Sequence, residues 1–89
     1  MKIKLELFGA SRDLSNKDHL ELDIKDKASI DDLRKEIIKY IEKNFQGNEN
    51  FIKVVKSSAF CSENNEIISD NYKITKDQKI GIIPPIGGG

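Results

Sequence analysis

The 89-residue sequence predicts a single α+β domain, with one main helix packed on one face of a mixed β-sheet. Two observations carry this prediction. Apolar residues alternate with polar ones near both ends of the chain, and they recur every three or four positions between residues 30 and 45. The last six residues follow neither pattern and predict an extended tail. We therefore expect a domain at 1–83 and a tail at 84–89.

The N-terminal part predicts two strands. Residues 2–7 and 19–24 each alternate polar and apolar side chains, as half-buried strands do. The polar segment 9–18 between them predicts a loop. Phe8 breaks the alternation of the first strand and is expected on its outward side. The expected inward residues are Ile3, Leu5, Leu7, Leu20, Leu22 and Ile24.

The main helix is predicted at residues 30–45. Ser29 precedes it and Asp32 follows three residues later, which is a capping box with a short acid. Gly47 supplies the helix end. The apolar stripe consists of Ile30, Leu33, Ile37, Ile41 and Phe45.

The second half predicts short strands. The extended segments are expected at 51–55 (weakly), 57–62, 67–68, 72–74 and 79–83. If the first and last strands meet at the sheet centre, the arrangement is a β-grasp (ubiquitin-like) fold.

Composition excludes several functions. Fifteen basic residues balance fifteen acidic ones, so the chain has no basic surplus for nucleic acid. The single cysteine, Cys61, excludes an internal disulfide and is interpreted as a small buried hydrophobe. His19 has no other ligand type patterned around it, so we expect no metal and no bound cofactor. No apolar run approaches the roughly 20 residues that span a bilayer, and we expect a cytosolic protein.

The tail carries the most specific signal. Pro84 and Pro85 end the sheet ladder and predict a stiff, extended stalk. Gly87, Gly88 and Gly89 have no Cβ, so such a tail fits a channel that other side chains would block. A carboxylate on Gly89 is inert, but ATP can convert it to an acyl-adenylate that a sulfur or nitrogen nucleophile displaces. Nothing in the sequence indicates an ATP site, so this activation needs another protein.

Both ends of the chain resemble one family. The first strand is followed by Leu7-Phe8-Gly9-Ala10-Ser11-Arg12-Asp13-Leu14, similar to the F-x-A-x-x-R-E-L stretch in the small subunit of molybdopterin synthase. The last strand continues into Pro84-Pro85-Ile86-Gly87-Gly88-Gly89, which resembles the P-P-V-x-G-G ending of that family. The double proline before Gly-Gly is the more specific of the two.

The resemblance implies a non-catalytic sulfur carrier. An E1-like adenylating enzyme would use ATP to activate Gly89, and a persulfide donor would convert it to a thiocarboxylate. The tail would then enter the large subunit of molybdopterin synthase, in a heterotetramer, and give its sulfur to cyclic pyranopterin monophosphate. The catalytic side chains would belong to the large subunit.

A docking surface is expected beside the tail. Its predicted residues are Phe8, Arg12, Phe60, Ile83, Pro84 and Pro85. Phe8 is the first choice, because it lies out of phase with its strand. For Phe60 and Ile83, burial in the core is an equally open reading. Arg12 either pairs with a local acid or binds the activating enzyme.

Three other functions stay open. A ubiquitin-like modifier would be joined to a target lysine through Gly89. A sulfur carrier of the thiamine pathway or another pathway would share the same terminal chemistry. A plain β-grasp interaction domain would make no use of its tail.

Overall fold

The protein is an α+β domain with a five-stranded mixed sheet. A computed structural model describes residues 1–85. In chain order the elements are β1 (Lys2–Leu7), a 3-10 helix (Gly9–Leu14), β2 (His19–Asp23), α1 (Ile30–Asn44), α2 (Glu49–Ser57), β3 (Ala59–Cys61), β4 (Ile67–Ile68) and β5 (Gln78–Ile83). The strands lie in the order β2-β1-β5-β3-β4.

The first and last strands meet at the sheet centre, as the sequence predicts. β1 and β5 are parallel, with Ile3 opposite Gln78 and Leu7 opposite Ile82. β2 runs antiparallel to β1 on one side, and β3 runs antiparallel to β5 on the other. A central parallel pair flanked by antiparallel strands, with a helix on one face, is the β-grasp arrangement.

Within residues 1–85, the helices cover one face of the sheet. The inward residues predicted for the first strand, Ile3, Leu5 and Leu7, are buried, and the apolar stripe of α1 packs into the same cluster. We call this side the helix face and the opposite side the outer face. The core cluster consists of Ile3, Leu5, Leu7, Leu14, Leu20, Ile24, Ala28, Ile30, Leu33, Ile37, Ile41, Val55, Phe60, Ile74, Ile80 and Ile82.

The predicted capping box starts α1. The Ser29 hydroxyl accepts a hydrogen bond from the N–H of Asp32 at 3.1 Å. The Asp32 carboxylate accepts one from the N–H of Ser29 at 3.0 Å. This backbone hydrogen bond holds the pKa of Asp32 below its ordinary value of 3.8, because it favours the ionised form.

The extended segment predicted at 51–55 is wrong, because Glu49–Ser57 forms a second helix, α2. Asn48 caps it by accepting hydrogen bonds from two backbone N–H groups of the first turn. The β-branched residues in this segment favour a strand locally. Tertiary packing overrides that preference, since Val55 is fully buried in the core.

The strand predicted at 72–74 is reduced to a single bridge between Ser29 and Lys73. The loop predicted at 9–18 contains the 3-10 helix. In both places the chain turns around α1 or the end of β1, and side-chain alternation alone does not show this.

Arg34 joins four parts of the fold. Its guanidinium donates hydrogen bonds to the carbonyls of Val55 at 2.6 Å and Ser58 at 2.8 Å, at the end of α2. It also donates to the Asp70 carboxylate at 2.7 Å. The guanidinium carbon lies 4.9 Å from the centre of the Phe60 ring. One cation therefore satisfies the C-terminal carbonyls of α2 and ties them to α1, β3 and the loop before β5.

Within residues 1–85, no helix has the length and apolar character needed to cross a membrane.

Replacing Arg34 by Met tests this junction. We expect the free energy of unfolding to fall by about 2 to 4 kcal/mol, because the carbonyls and Asp70 lose a charged donor. Denaturant unfolding measures the loss. Lys35→Met removes a neighbouring exposed cation and is expected to cost no more than about 0.5 kcal/mol. Equal losses in the two variants would contradict the role given to Arg34.

Replacing Asp32 by Ala tests the capping box through its pH dependence. Folding lowers the pKa of Asp32, so its ionised carboxylate stabilises the protein at pH values above the ordinary pKa of 3.8. This contribution disappears as the pH falls through the lower pKa of the folded state. We expect the variant to be less stable than the parent at neutral pH, with the two curves converging in acid. Urea unfolding at a series of pH values measures this, and a difference independent of pH would refute it.

Candidate functional site: the base of the tail

The ends of β1 and β5 lie side by side at one edge of the sheet. Leu7 is opposite Ile82, so the next residues, Phe8-Gly9 and Ile83-Pro84, are neighbours. Gly9 has a φ of +56°, and a Cβ at this position would lie 3.8 Å from Cγ of Pro84. The chain therefore turns out of β1 against the first residue of the tail.

A buried serine fixes this turn. The Ser11 hydroxyl donates a hydrogen bond to the carbonyl of Phe8 at 2.7 Å and accepts one from the N–H of Phe8 at 3.0 Å. Ser11 is almost completely buried. Both backbone groups of Phe8 are thus held by one side chain, which limits where its ring can point.

The Phe8 ring lies over Gly81 on the outer face of the sheet. A Cβ placed on Gly81 would be 3.0 Å from Cε2 of Phe8 and 2.7 Å from Sγ of Cys61. Gly81 is opposite Cys61 in the register of β3 and β5, so all three residues share the outer face. The predicted outward position of Phe8 is confirmed, and its side chain remains 44% exposed.

Apolar residues surround the point where the tail leaves the sheet. Ile83 and Pro84 are half-buried, while Ala59, opposite Ile83, and Pro85 are exposed. We call Phe8, Ala59, Ile83, Pro84 and Pro85 the tail-base patch. Four of these residues were predicted from the sequence. Ala59 was missed because its position on this face depends on the register of β3.

The outer face carries one further exposed apolar side chain. Ile67 is 67% exposed and lies opposite Cys61 in β4. The sequence placed Ile67 in a short strand, but a strand of two residues has no alternation that could show its outward direction.

Phe60 does not belong to this surface, and its assignment to partner binding is corrected. It lies opposite Ile82, between the outward positions Ala59 and Cys61, so its ring points to the helix face. It is 1% exposed and packs under the guanidinium of Arg34. Of the two readings open for Phe60, the core reading is the right one.

Arg12 is exposed beside the patch. It lines a shallow groove of about 260 Å³ together with Phe8, Gly9 and Asp18. Among the residues that the structure describes, no ion pair within 4.0 Å involves Arg12, so the local acid partner considered for it is not found. The neighbouring acid Asp18 is instead hydrogen-bonded to His19 at 3.1 Å, which lowers the pKa of Asp18.

Few reactive side chains lie at the base of the tail in the described part of the chain. Cys61 is buried, as predicted, with its sulfur close to Gly81. In residues 1–85 no three His, Cys, Asp or Glu side chains are grouped as metal ligands. The predicted tail residues Gly87, Gly88 and Gly89 lie outside the described residues. A larger groove of about 550 Å³, between Leu14, Tyr40 and Phe45, has no tail-base residue in its lining.

Two phenylalanine substitutions separate the core from the surface. We expect Phe60→Ala to lower the free energy of unfolding by about 3 to 5 kcal/mol, because it leaves a cavity in the core. Phe8→Ala is expected to cost at most about 1.5 kcal/mol, since much of its ring is exposed. Denaturant unfolding of the two variants measures the difference, and a larger loss for Phe8→Ala would contradict the assignment of the two faces.

Known structures share this fold. A protein of Pyrococcus furiosus provisionally named molybdopterin converting factor, subunit 1, superposes with a TM-score of 0.69 at 24% identity, covering 96% of this chain and 98% of that one. SAMP1 of Haloferax volcanii gives 0.68 at 14% identity, with both chains fully covered. Caldiarchaeum subterraneum ubiquitin gives 0.62 at 16% identity, covering 100% of this chain and 98% of that one. At these identities the likeness shows the ubiquitin-like fold.

Comparison with protein families identifies the chain more closely. No curated protein sequence matches it significantly. The ThiS family matches residues 5–89, a range that includes the end of β1, the tail-base patch and the terminal glycines. The protein belongs to the ThiS family.

Proposed function

We propose that this protein is a sulfur carrier, and that it serves as the small subunit of molybdopterin synthase in molybdenum cofactor biosynthesis. The observation that carries the proposal is the family match, which continues through Pro84 and Pro85 to Gly89. The tail-base patch supports it, because the patch provides an apolar surface at the point where the tail begins.

The proposed chemistry takes place on the terminal carboxylate of Gly89. The carboxylate attacks the α-phosphate of ATP, giving an acyl-adenylate and pyrophosphate. A persulfide on a donor protein then attacks the acyl carbon, and AMP leaves. A thiol cleaves the resulting acyl disulfide, which forms a disulfide on the donor side and leaves a thiocarboxylate on Gly89. This chain contributes the acyl group alone, so it binds no cofactor, and ATP belongs to the activating partner.

Two protein partners follow from this chemistry. The first is an E1-like adenylating enzyme, and the second is the large catalytic subunit, with which this chain would form a heterotetramer. Residues 86–89 span at most about 14 Å when fully extended. An enzyme that holds Gly89 within its active site must therefore come within about 14 Å of Pro85, next to the tail-base patch.

The proposed acceptor is cyclic pyranopterin monophosphate, which would receive sulfur to form the dithiolene of molybdopterin. Two observations favour this pathway over others. The double proline precedes the glycines, as in the small subunits of molybdopterin synthase that the sequence resembles. The P. furiosus protein of the same fold carries a molybdopterin name.

A second candidate function is a ubiquitin-like protein modifier. Small archaeal modifier protein 1 and C. subterraneum ubiquitin share the fold, and their names support this alternative. A modifier would start from the same adenylate, but a lysine amine would displace AMP instead of sulfur. A sulfur carrier of the thiamine pathway or another pathway would form the same thiocarboxylate and differ only in the acceptor.

Intact mass spectrometry distinguishes these functions. The protein is incubated with the adenylating enzyme from the same organism, ATP and a persulfide donor. We expect a mass gain that corresponds to one oxygen replaced by one sulfur. The gain should be absent without ATP and in a variant that lacks Gly88 and Gly89.

Other outcomes redirect the assignment. Conjugates on lysine side chains without the sulfur gain would favour the modifier, and no adenylation at all would favour an interaction domain. If the thiocarboxylate forms but the large subunit does not convert cyclic pyranopterin monophosphate to molybdopterin with it, the carrier serves another pathway.

A further inference from the structure

We propose that the free edge of β2, together with the groove between β2 and α1, binds an extended segment of another protein. The segment would add to the sheet as a further strand beside β2, with apolar side chains toward the groove and basic side chains on the outer face. This inference goes beyond the proposed function and does not rest on it. In the sheet, β1 separates β2 from β5, the strand that continues into the tail.

β2 is an edge strand with a row of unpaired backbone groups. The N–H of Ile24 donates to the carbonyl of Met1 at 2.9 Å, and the Met1 amine donates to the carbonyl of Ile24 at 2.6 Å. Such hydrogen-bonded pairs occur at every second residue of an antiparallel ladder, so the even-numbered residues of β2 bond to β1. The N–H and C=O groups of His19, Glu21 and Asp23 therefore point away from β1, and within residues 1–85 no other element bonds to them. An exposed row of this kind is a template for another strand.

An open groove follows this edge on the helix face. One hollow of about 550 Å³ lies between the start of β2 and the end of α1, and Leu20 and Tyr40 line it. A second hollow of about 310 Å³ lies between the end of β2 and residues 32–39 of α1, and Ile24 lines it. Leu22 lies between Leu20 and Ile24 in β2 and is only half-buried, whereas those two residues are buried. Apolar side chains of an added strand would extend into this groove and complete the burial of Leu22.

The charges on the outer face indicate the chemistry of the segment. Glu21 and Asp23 are exposed, and they point to the outer face because they alternate with the inward residues of β2. Lys4 and Lys2 are opposite them in β1, but within residues 1–85 neither carboxylate lies within 4.0 Å of a lysine or arginine nitrogen. Basic side chains at the facing positions of an added strand would form two cross-strand ion pairs with these carboxylates.

The same charges argue against a second copy of this chain as the occupant. An antiparallel pairing that uses all of His19–Asp23 is centred on Glu21, so this residue would face its own copy. Like charges directly opposite each other destabilise a strand pair. At the other edge of the described sheet, β4 has only two residues and offers a short template. A basic and apolar segment of a different protein therefore fits the β2 edge best.

The test uses the full chain and a synthetic probe, a short peptide with blocked ends in which valine alternates with lysine. We expect a Kd below about 1 mM and, at saturation, hydrogen exchange at least about tenfold slower at the amides of Glu21 and Asp23. The amides of Leu20 and Leu22 already bond to β1 and should change little. NMR measures both quantities. A matched peptide with glutamate in place of lysine should bind at least about fivefold more weakly.

Two matched pairs isolate the backbone contribution. Glu21→Pro removes an N–H at the centre of the free edge, where proline is tolerated, and should weaken binding at least about tenfold. Glu21→Gln keeps that N–H and should weaken binding less than about fivefold. The second pair leaves the protein unchanged: N-methylation of the lysine amides or of the valine amides blocks opposite edges of the extended peptide. One of these peptides should lose binding, while the other should keep its Kd within about threefold.

Four outcomes would overturn the inference. They are no binding at about 1 mM peptide, equal affinity for the lysine and glutamate peptides, equal effects of the two N-methylated peptides, and protection at β4 or the tail-base patch instead of β2. Concentration-dependent protection of the Glu21 amide without peptide would identify a second copy as the occupant and would also overturn it. None of these measurements uses ATP or Gly89, so failure here is distinct from failure of the proposed function.

Discussion

The parallel pairing of β1 with β5 is the constraint on which the candidate site depends. Two parallel neighbours end at the same edge of a sheet, so the residues after Leu7 and after Ile82 come together there. In an antiparallel pair the same residues would be separated by the length of the strands, which is roughly 20 Å for six residues. The proximity of Gly9 to Pro84 and the position of the Phe8 ring over Gly81 both follow from this pairing.

The two faces of the sheet differ in role: one packs the core, and the other carries the candidate binding surface. The helix face carries the core, including Phe60, and Arg34 ties that core to the end of α2. Within residues 1–85, no helix covers the outer face. One part of this face is charged and includes an ion pair between Glu6 and Lys79 at 3.1 Å. The tail-base patch is its apolar part. A side chain on the outer face can therefore serve recognition with little effect on the core.

The sequence predicted the features that depend on local patterns. Strand alternation placed Phe8 outward, and the spacing of Ser29 and Asp32 located the start of α1. It missed α2, because the β-branched residues of this segment favour a strand, whereas the capping role of Asn48 becomes visible only in the hydrogen bonds that its side chain accepts from Asn50 and Phe51. It did not decide whether Phe60 is buried in the core or exposed at an interface. In a strand of three residues, the face to which each side chain points is known only from the register with β5. The position of Gly81 opposite Cys61, beneath the Phe8 ring, was missed for the same reason.

The energetics of threading a tail explain why a carrier needs such a docking surface. Holding residues 86–89 in one conformation within a channel costs about 1 to 2 kcal/mol of backbone entropy per residue, and glycine loses the most. The three terminal glycines have no side chains and gain few apolar contacts in return. Docking contacts outside the channel must offset that cost, and burying roughly 200 Å² of apolar surface supplies about 5 kcal/mol. Prolines at 84 and 85 keep the cost from extending further back, since their φ angles are already fixed. In the proposed function, the tail-base patch and the glycine tail therefore act together: the patch supplies the binding energy that the tail lacks.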